Sequence, residues 1–227
     1  MTFSVKEKQA FLFDMDGVLY NSMPNHARAW VEAMNRTGIS MKTEDVYFQE
    51  GCTGPQVIKN MGRERNDLDV TDQMCQDIYR LKSEIFRSMG KVDIMPGALE
   101  VFEKIKQAGK TIVIVTGSGQ PDMINRLLDD FGAYVTRDMM VTAFEVKRGK
   151  PYPDPYLAGL QKAGVGPDKA VVIENAPYGV RAGVAAGIDV IALNTGPLED
   201  RYLLQEGAKI LYPSMNAFCQ DWDTLNR

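Results

Sequence analysis

The stretch Ala10-Phe11-Leu12-Phe13-Asp14-Met15-Asp16-Gly17-Val18-Leu19 decides the fold class. Four apolar residues run without a polar interruption and then meet two carboxylates separated by one residue. A run this short, without strict alternation, reads as a strand buried on both faces of a parallel sheet. Three similar runs follow, at Thr111 to Val115, Ala170 to Ile173 and Ile188 to Leu193. Helical periodicity fills the gaps. From Gly97 to Ala108, Leu99, Val101, Phe102 and Ile105 fall near one face, with Pro96 at the start and Gly109 at the stop. Strand followed by helix, repeated, predicts a doubly wound α/β sheet.

One stretch departs from this alternation. Between Asn21 and about Val92 no strand pattern occurs, and helical segments follow one another. Asn25 to Arg36 carries Ala29, Trp30, Ala33 and Met34; Thr71 to Met89 carries Met74, Ile78, Leu81, Ile85 and Phe86 at helical spacing. Roughly 70 residues suffice for a small helical bundle. The expected organisation is an α/β core from residues 1–20 and 92–227, with an all-α insert over 21–91.

Composition narrows the partners. The 227 residues carry 26 basic and 30 acidic side chains, a net charge of −4 with no basic stripe, so a nucleic-acid partner is not expected. No stretch has the ~20 apolar residues of a membrane helix, and Met1 to Lys8 lacks the apolar region of a signal peptide. Cys52, Cys75 and Cys219 cannot all pair internally, which fits a reduced, cytoplasmic chain. The single histidine, His26, excludes a metal site built from two or three histidines. A monomer is compatible with all of this.

The chemistry gathers at the strand ends, where open α/β sheets bind ligands. Asp14 and Asp16 close the first strand. The second ends Thr116-Gly117-Ser118-Gly119 before a helix around Asp122 to Phe131, hydroxyls and glycines at a helix start that suit a phosphate. Lys150 stands in Gly149-Lys150-Pro151, and a later strand ends in Glu174-Asn175-Ala176. Each alone has an ordinary reading as a solvated turn, a helix cap or a surface lysine. A P-loop is ruled out by Phe144 where glycine is needed and by Pro151 in place of Ser or Thr, and a dinucleotide fingerprint by Asp122. Ser118 lacks the flanking pattern of a nucleophile elbow. Together the surviving residues suit phosphoryl transfer, where positioning and charge neutralisation do most of the work. A hard divalent cation and a lysine would let a carboxylate approach a phosphate dianion.

In this order, the segments DMDGVL, VTGSG, GKP and VVIENAPYGVRAG resemble the four motifs of the haloacid dehalogenase superfamily of phosphotransferases, and its β-phosphoglucomutase-like branch in particular. The resemblance runs nearly end to end. It implies a Rossmann-like core carrying a movable helical cap. It also implies Asp14 as a nucleophile that becomes an aspartyl-phosphate and Asp16 as general acid and base. Asp14, Asp16 through its backbone carbonyl, Glu174 and Asn175 would surround Mg²⁺. Thr116, Gly117, Ser118 and Lys150 would hold the transferring phosphate, and His26, in a His-x-x-x-Trp segment ending at Trp30, would approach from the cap.

Two departures from that family matter. Asn175 stands where the family usually has aspartate, which removes one negative charge from the expected metal site. The segment Gln49-Glu50-Gly51-Cys52-Thr53-Gly54-Pro55 resembles the family's specificity loop, which places Thr53 near the substrate, but it lacks the arginine with which sugar-phosphate mutases grip a second phosphate. Arg63 and Arg65 come later, and Lys82 would substitute only if its helix face met the site. The expected function is therefore Mg²⁺-dependent hydrolysis of a small phosphorylated metabolite such as a sugar phosphate. The alternatives are a β-phosphoglucomutase-type isomerase and a catalytically silent phosphate-binding protein.

Overall fold

Six parallel strands form one sheet: β1 (Ala10–Phe13), β2 (Thr111–Val115), β3 (Met140–Val141), β4 (Ala170–Glu174), β5 (Asp189–Leu193) and β6 (Ile210–Tyr212), in the order β3-β2-β1-β4-β5-β6. The computed structural model describes residues 3–119 and 121–227. In β1, Phe13 is in register with Ile114 on one side and Ile173 on the other. The carboxyl ends of β2 and β4 therefore flank Asp14, at the point where strand order reverses.

Alternate residues of each strand serve opposite faces. Phe11, Phe13, Ile114, Ile173 and Ile191 share one buried cluster with α5 (Ala98–Gln107), α6 (Pro121–Phe131) and α10 (Met215–Leu225). Leu12, Val113, Val115, Val172 and Val190 pack on the other face with α7 (Asp154–Ala163) and α8 (Pro177–Ala185). The short α9 (Asp200–Gln205) adds Leu203 to that second cluster.

Four helices separate β1 from α5: α1 (Met23–Arg36), α2 (Thr43–Phe48), α3 (Gly54–Asn66) and α4 (Asp72–Ser88). Thr71 starts α4 by accepting the Met74 backbone N–H on its hydroxyl at 3.3 Å. The four share their own apolar cluster, in which Trp30 meets Tyr79 at 6.1 Å between ring centroids. The chain enters and leaves this insert side by side: the Asn21 N–H donates to the Asp93 carbonyl at 2.9 Å and the Met95 N–H to the Leu19 carbonyl at 2.8 Å. Arg126 of α6 holds both crossings, donating to the Val92 carbonyl at 2.5 Å and lying 4.8 Å from the Tyr20 ring.

Two strands lack a readable pattern. β3 has 2 residues and β6 has 3, the latter half-buried throughout, too short for periodicity to register. Ile188, read as the start of a strand, instead closes the end of α8 by donating its N–H to Gly183 at 3.1 Å.

Candidate active site

Asp14 follows β1 directly, and its N–H donates to the Ile173 carbonyl at 3.0 Å. Lys150 reaches it across the strand ends. The Lys150 Nζ donates to Asp14 Oδ1 at 2.5 Å, Glu174 Oε1 at 2.6 Å and the Val115 carbonyl at 3.2 Å, so all three ammonium protons are used. The lysine is only 1% exposed. Burial works against its charge, but Asp14 and Glu174 outweigh this and hold the ammonium above its ordinary range. Burial pushes the Asp14 carboxyl up to about 7, against the pull of Lys150 and helped by the negative Glu174 and Asp16.

Asp16 sits in a different environment. Burial alone would raise it, but His26, the Ser22 hydroxyl and the charge of Lys82 together hold its carboxyl below the usual range. Ser22 Oγ donates to Asp16 Oδ1 at 2.5 Å, and His26 Nε2 lies 3.2 Å from the same oxygen. On the far side of the ring, Lys82 Nζ is 2.7 Å from His26 Nδ1. An ammonium can only donate, so Nδ1 accepts and Nε2 carries the proton toward Asp16. Burial and then Lys82 depress the imidazole's pKa, which keeps the ring neutral. The ring stacks on Phe86 at 4.1 Å.

Thr116, Gly117 and Ser118 line the cavity opposite the insert. Thr116 Oγ1 accepts the Ser118 N–H at 3.0 Å, which curls the loop around the end of β2. A methyl group on Gly117 would come 2.8 Å from the Gly51 carbonyl oxygen, so only glycine allows the insert to approach this closely. The space between core and insert, about 70 Å³, is lined by Asp14 and Asp16 from the core and by His26, Trp30, Tyr79 and Lys82 from the insert.

The insert loop 49–56 closes on two core loops at once, around Gly149-Lys150 and at Asn175. Gly149 donates its N–H to Gln56 Oε1 at 3.2 Å, the Cys52 thiol donates to the Lys150 carbonyl at 3.1 Å, and Asn175 Nδ2 donates to Glu50 Oε1 at 2.8 Å. Burial and the nearby Asp14 push the Glu50 carboxyl well above its ordinary range. Thr53, expected near the substrate, does not line the cavity. Its hydroxyl donates to Gln56 Oε1 at 2.8 Å at the start of α3, where a helix N-terminus favours such a residue.

Glu174 lies under tight packing. Its carboxylate fills the space where a Cβ on Gly179 would stand, 1.9 Å from Oε1. Gly179→Ala therefore forces Glu174 out of its place. The exchange would ordinarily favour a helix by about 1 kcal/mol, yet here overpacking is expected to cost roughly 1–3 kcal/mol and most of the activity. Thermal unfolding and a phosphatase assay check both, and an unchanged midpoint would show that the carboxylate moves freely.

Two buried side chains at the site, Glu50 and Tyr156, carry no signal in the sequence, and Lys82, whose part depended on its helix face, lies on the buried one. Glu50 stands in the segment 49–55, where nothing in the local pattern sets it apart from a solvated acid. Lys82 is buried rather than solvated, and its spacing from Ile78 and Phe86 placed it on the buried face of α4. Tyr156 reads as one apolar residue of α7, with no signal that its hydroxyl matters.

The family model of haloacid dehalogenase-like hydrolases matches residues 11–193, and the chain belongs to that family. It is an enzyme of the HAD-type phosphatase or phosphomutase class. It is 33% identical over 186 residues to hexitol phosphatase A of Escherichia coli, a match covering 82% of this chain and 83% of that protein. A fructose-1-phosphate phosphatase of the same organism is 30% identical over 180 residues, 79% of this chain and 93% of that one. Among solved structures, a candidate beta-phosphoglucomutase from Bacteroides vulgatus superposes with a TM-score of 0.93 at 50% identity, covering 97% of this chain and 89% of that one.

Proposed function

We propose that this enzyme hydrolyses a small phosphorylated metabolite, a sugar phosphate or a more compact compound, with Asp14 as nucleophile. The observation that carries this reading is Asp14 held by Lys150 at the end of β1, facing a cavity of about 70 Å³ between core and insert. Asp14 attacks phosphorus, the bond from phosphorus to the leaving oxygen breaks, and Asp16 supplies that oxygen with a proton, which it holds only once the negative phosphate bound beside it offsets the pull of His26, Ser22 and Lys82. Asp16 then takes a proton from the water that attacks the aspartyl-phosphate, which releases inorganic phosphate and restores Asp14. His26 and Ser22 fix the orientation of Asp16 throughout. Thr116, Gly117, Ser118 and Lys150 cradle the phosphoryl group. Residues 21–91 act as a cap whose closure excludes bulk water.

The residues present fit Mg²⁺. Asn175 Oδ1 is buried without a hydrogen-bond partner, as an oxygen reserved for a cation would be. Among the described residues no three acidic, histidine or cysteine side chains form a metal cluster by themselves, so the donor set is mixed. Asp14, the Asp16 backbone carbonyl and Asn175 Oδ1 would hold the ion, and Glu50 Oε1, accepting the Asn175 amide at 2.8 Å, would orient that oxygen. Glu174, which the resemblance also places among the ligands, has its oxygens taken by Lys150, Tyr156 and two backbone N–H groups. When bound, the ion neutralises charge between Asp14 and the phosphate.

Hydrolysis is favoured over mutase chemistry because, among the described residues, no arginine lines the cavity to clamp a second phosphate. The buried Lys82 cation on the cap side suits a leaving group that is compact and anionic. The test is a panel with Mg²⁺ running from hexitol and sugar phosphates through glycerol phosphate to inorganic pyrophosphate, the smallest. Phosphate release, abolished by chelation and at least ~10-fold faster for the compact members, is expected. Rapid glucose 6-phosphate formation from β-glucose 1-phosphate with a trace of glucose 1,6-bisphosphate, and no free phosphate, would instead establish the mutase. No turnover of p-nitrophenyl phosphate would leave a binding protein.

A further inference from the structure

We propose that Tyr156 is a positioning residue of this site, orienting Lys150 by way of Glu174; the idea rests on the phosphoryl-transfer reading above. Tyr156 projects from α7 beneath the strand ends and is fully buried, 0% exposed. Its hydroxyl donates to Glu174 Oε1 at 2.7 Å, the oxygen that also takes the Lys150 ammonium at 2.6 Å. Its ring lies 5.1 Å from the same ammonium. The other carboxylate oxygen, Oε2, accepts the N–H groups of Asn175 at 2.9 Å and Ala176 at 3.2 Å.

Counting donors and acceptors shows why the hydroxyl matters. A carboxylate has about four lone-pair positions, and protein donors occupy four at Glu174. The ammonium's three protons are likewise committed, to Asp14, Glu174 and Val115. Glu174 is therefore the fixed counter-charge of Lys150, and its side chain is fixed in turn by Tyr156 and the two backbone groups. Without the hydroxyl, Oε1 keeps only the lysine as donor. Glu174 can then turn, and Lys150 relaxes toward the oxygen of Asp14 that it already touches. A lysine bound more closely to the nucleophile is displaced from the incoming phosphoryl group, and tolerances at such sites are of the order of ~0.5 Å.

Tyr156→Phe keeps the ring and removes only this hydroxyl. The expected result is a loss in kcat of about 10-fold with KM changed less, and half-saturation by Mg²⁺ within about 2-fold of wild type, because Asn175 and the donors to Oε2 remain. The same exchange made in a Glu174→Gln background is expected to cost less than about 2-fold, since the path from tyrosine to lysine is already cut. Affinity for inorganic phosphate, measured by calorimetry, reports the same coupling without turnover. An equal loss in both backgrounds, an unchanged kcat and phosphate affinity, or a tenfold weakening of Mg²⁺ half-saturation would each overturn the proposal. Failure of the phosphatase reading is separate: it shows in wild type, as absent turnover of p-nitrophenyl phosphate, whereas this test reads the ratios between variants.

Discussion

Asp14→Asn is expected to reduce phosphate release by at least ~10³-fold while leaving the fold intact. On the proposed reading the Asp14 carboxylate is the group that bonds to phosphorus, and an amide is not a competent nucleophile there. Stability should be kept or rise. Asp14 is buried near three other carboxylates, Asp16, Glu50 and Glu174, and Lys150 retains Glu174 and the Val115 carbonyl when Asp14 is neutral. Active sites commonly hold such unfavourable charge at the expense of stability. The checks are thermal unfolding, single-turnover kinetics and a trapping experiment for the phosphorylated enzyme. Wild-type turnover in a well-folded Asp14→Asn protein would remove the basis of the mechanism.

Lys82→Met is expected to separate function from stability in opposite directions. The lysine is 2% exposed, and its Nζ contacts His26 at 2.7 Å and lies about 5 Å from the Trp30 and Phe86 rings. Burial brings its pKa down to about 8, with Asp16 offsetting part of that. The unfolded chain binds the proton more tightly than the folded one between that value and the ordinary 10.5. The penalty on folding is thus fully present below about pH 8 and fades as pH rises toward 10.5. At pH 7, replacing the ammonium with a thioether of similar reach should stabilise the protein by roughly 1–3 kcal/mol, at one pKa unit per 1.36 kcal/mol and less what the His26 contact contributes. That gain should shrink above pH 8. Affinity for an anionic substrate should fall by about 10-fold or more, because the buried cation on the cap side of the cavity is gone. Unfolding midpoints and KM measured from pH 6 to 10 test both halves. A less stable variant with unchanged KM would show Lys82 to be a structural lysine.

The strands that could be recognised before the structure are those whose apolar runs span four or five residues and are buried on both faces. β1, β2, β4 and β5 meet that condition. β3 and β6 are edge strands of two and three residues, and their existence depends on a neighbour already in place. The site divides the same way. Asp14, Asp16, Thr116, Lys150 and Glu174 stand at strand ends or in glycine-bearing turns, where local sequence announces a ligand. Thr53 carried a similar signal from its loop, but the start of α3 claimed its hydroxyl first.

The role of Asp14 as nucleophile follows only from the family resemblance; from the sequence alone come the order of the motifs, the insert after the first strand and the paired carboxylates at a strand end. Each of these rests on periodicity or spacing within a short stretch. Only the tertiary structure decided which polar partners answer the buried ionisable groups: Glu174 for Lys150, the neutral His26 for Lys82, the Asn175 amide for Glu50. The partners in these three pairs are separated by 24, 56 and 125 residues along the chain. A charge buried away from water must find compensation within a few ångströms. Spacing along the sequence does not encode that distance; packing of α1, α4, α7 and the loop before α3 against the strand ends sets it.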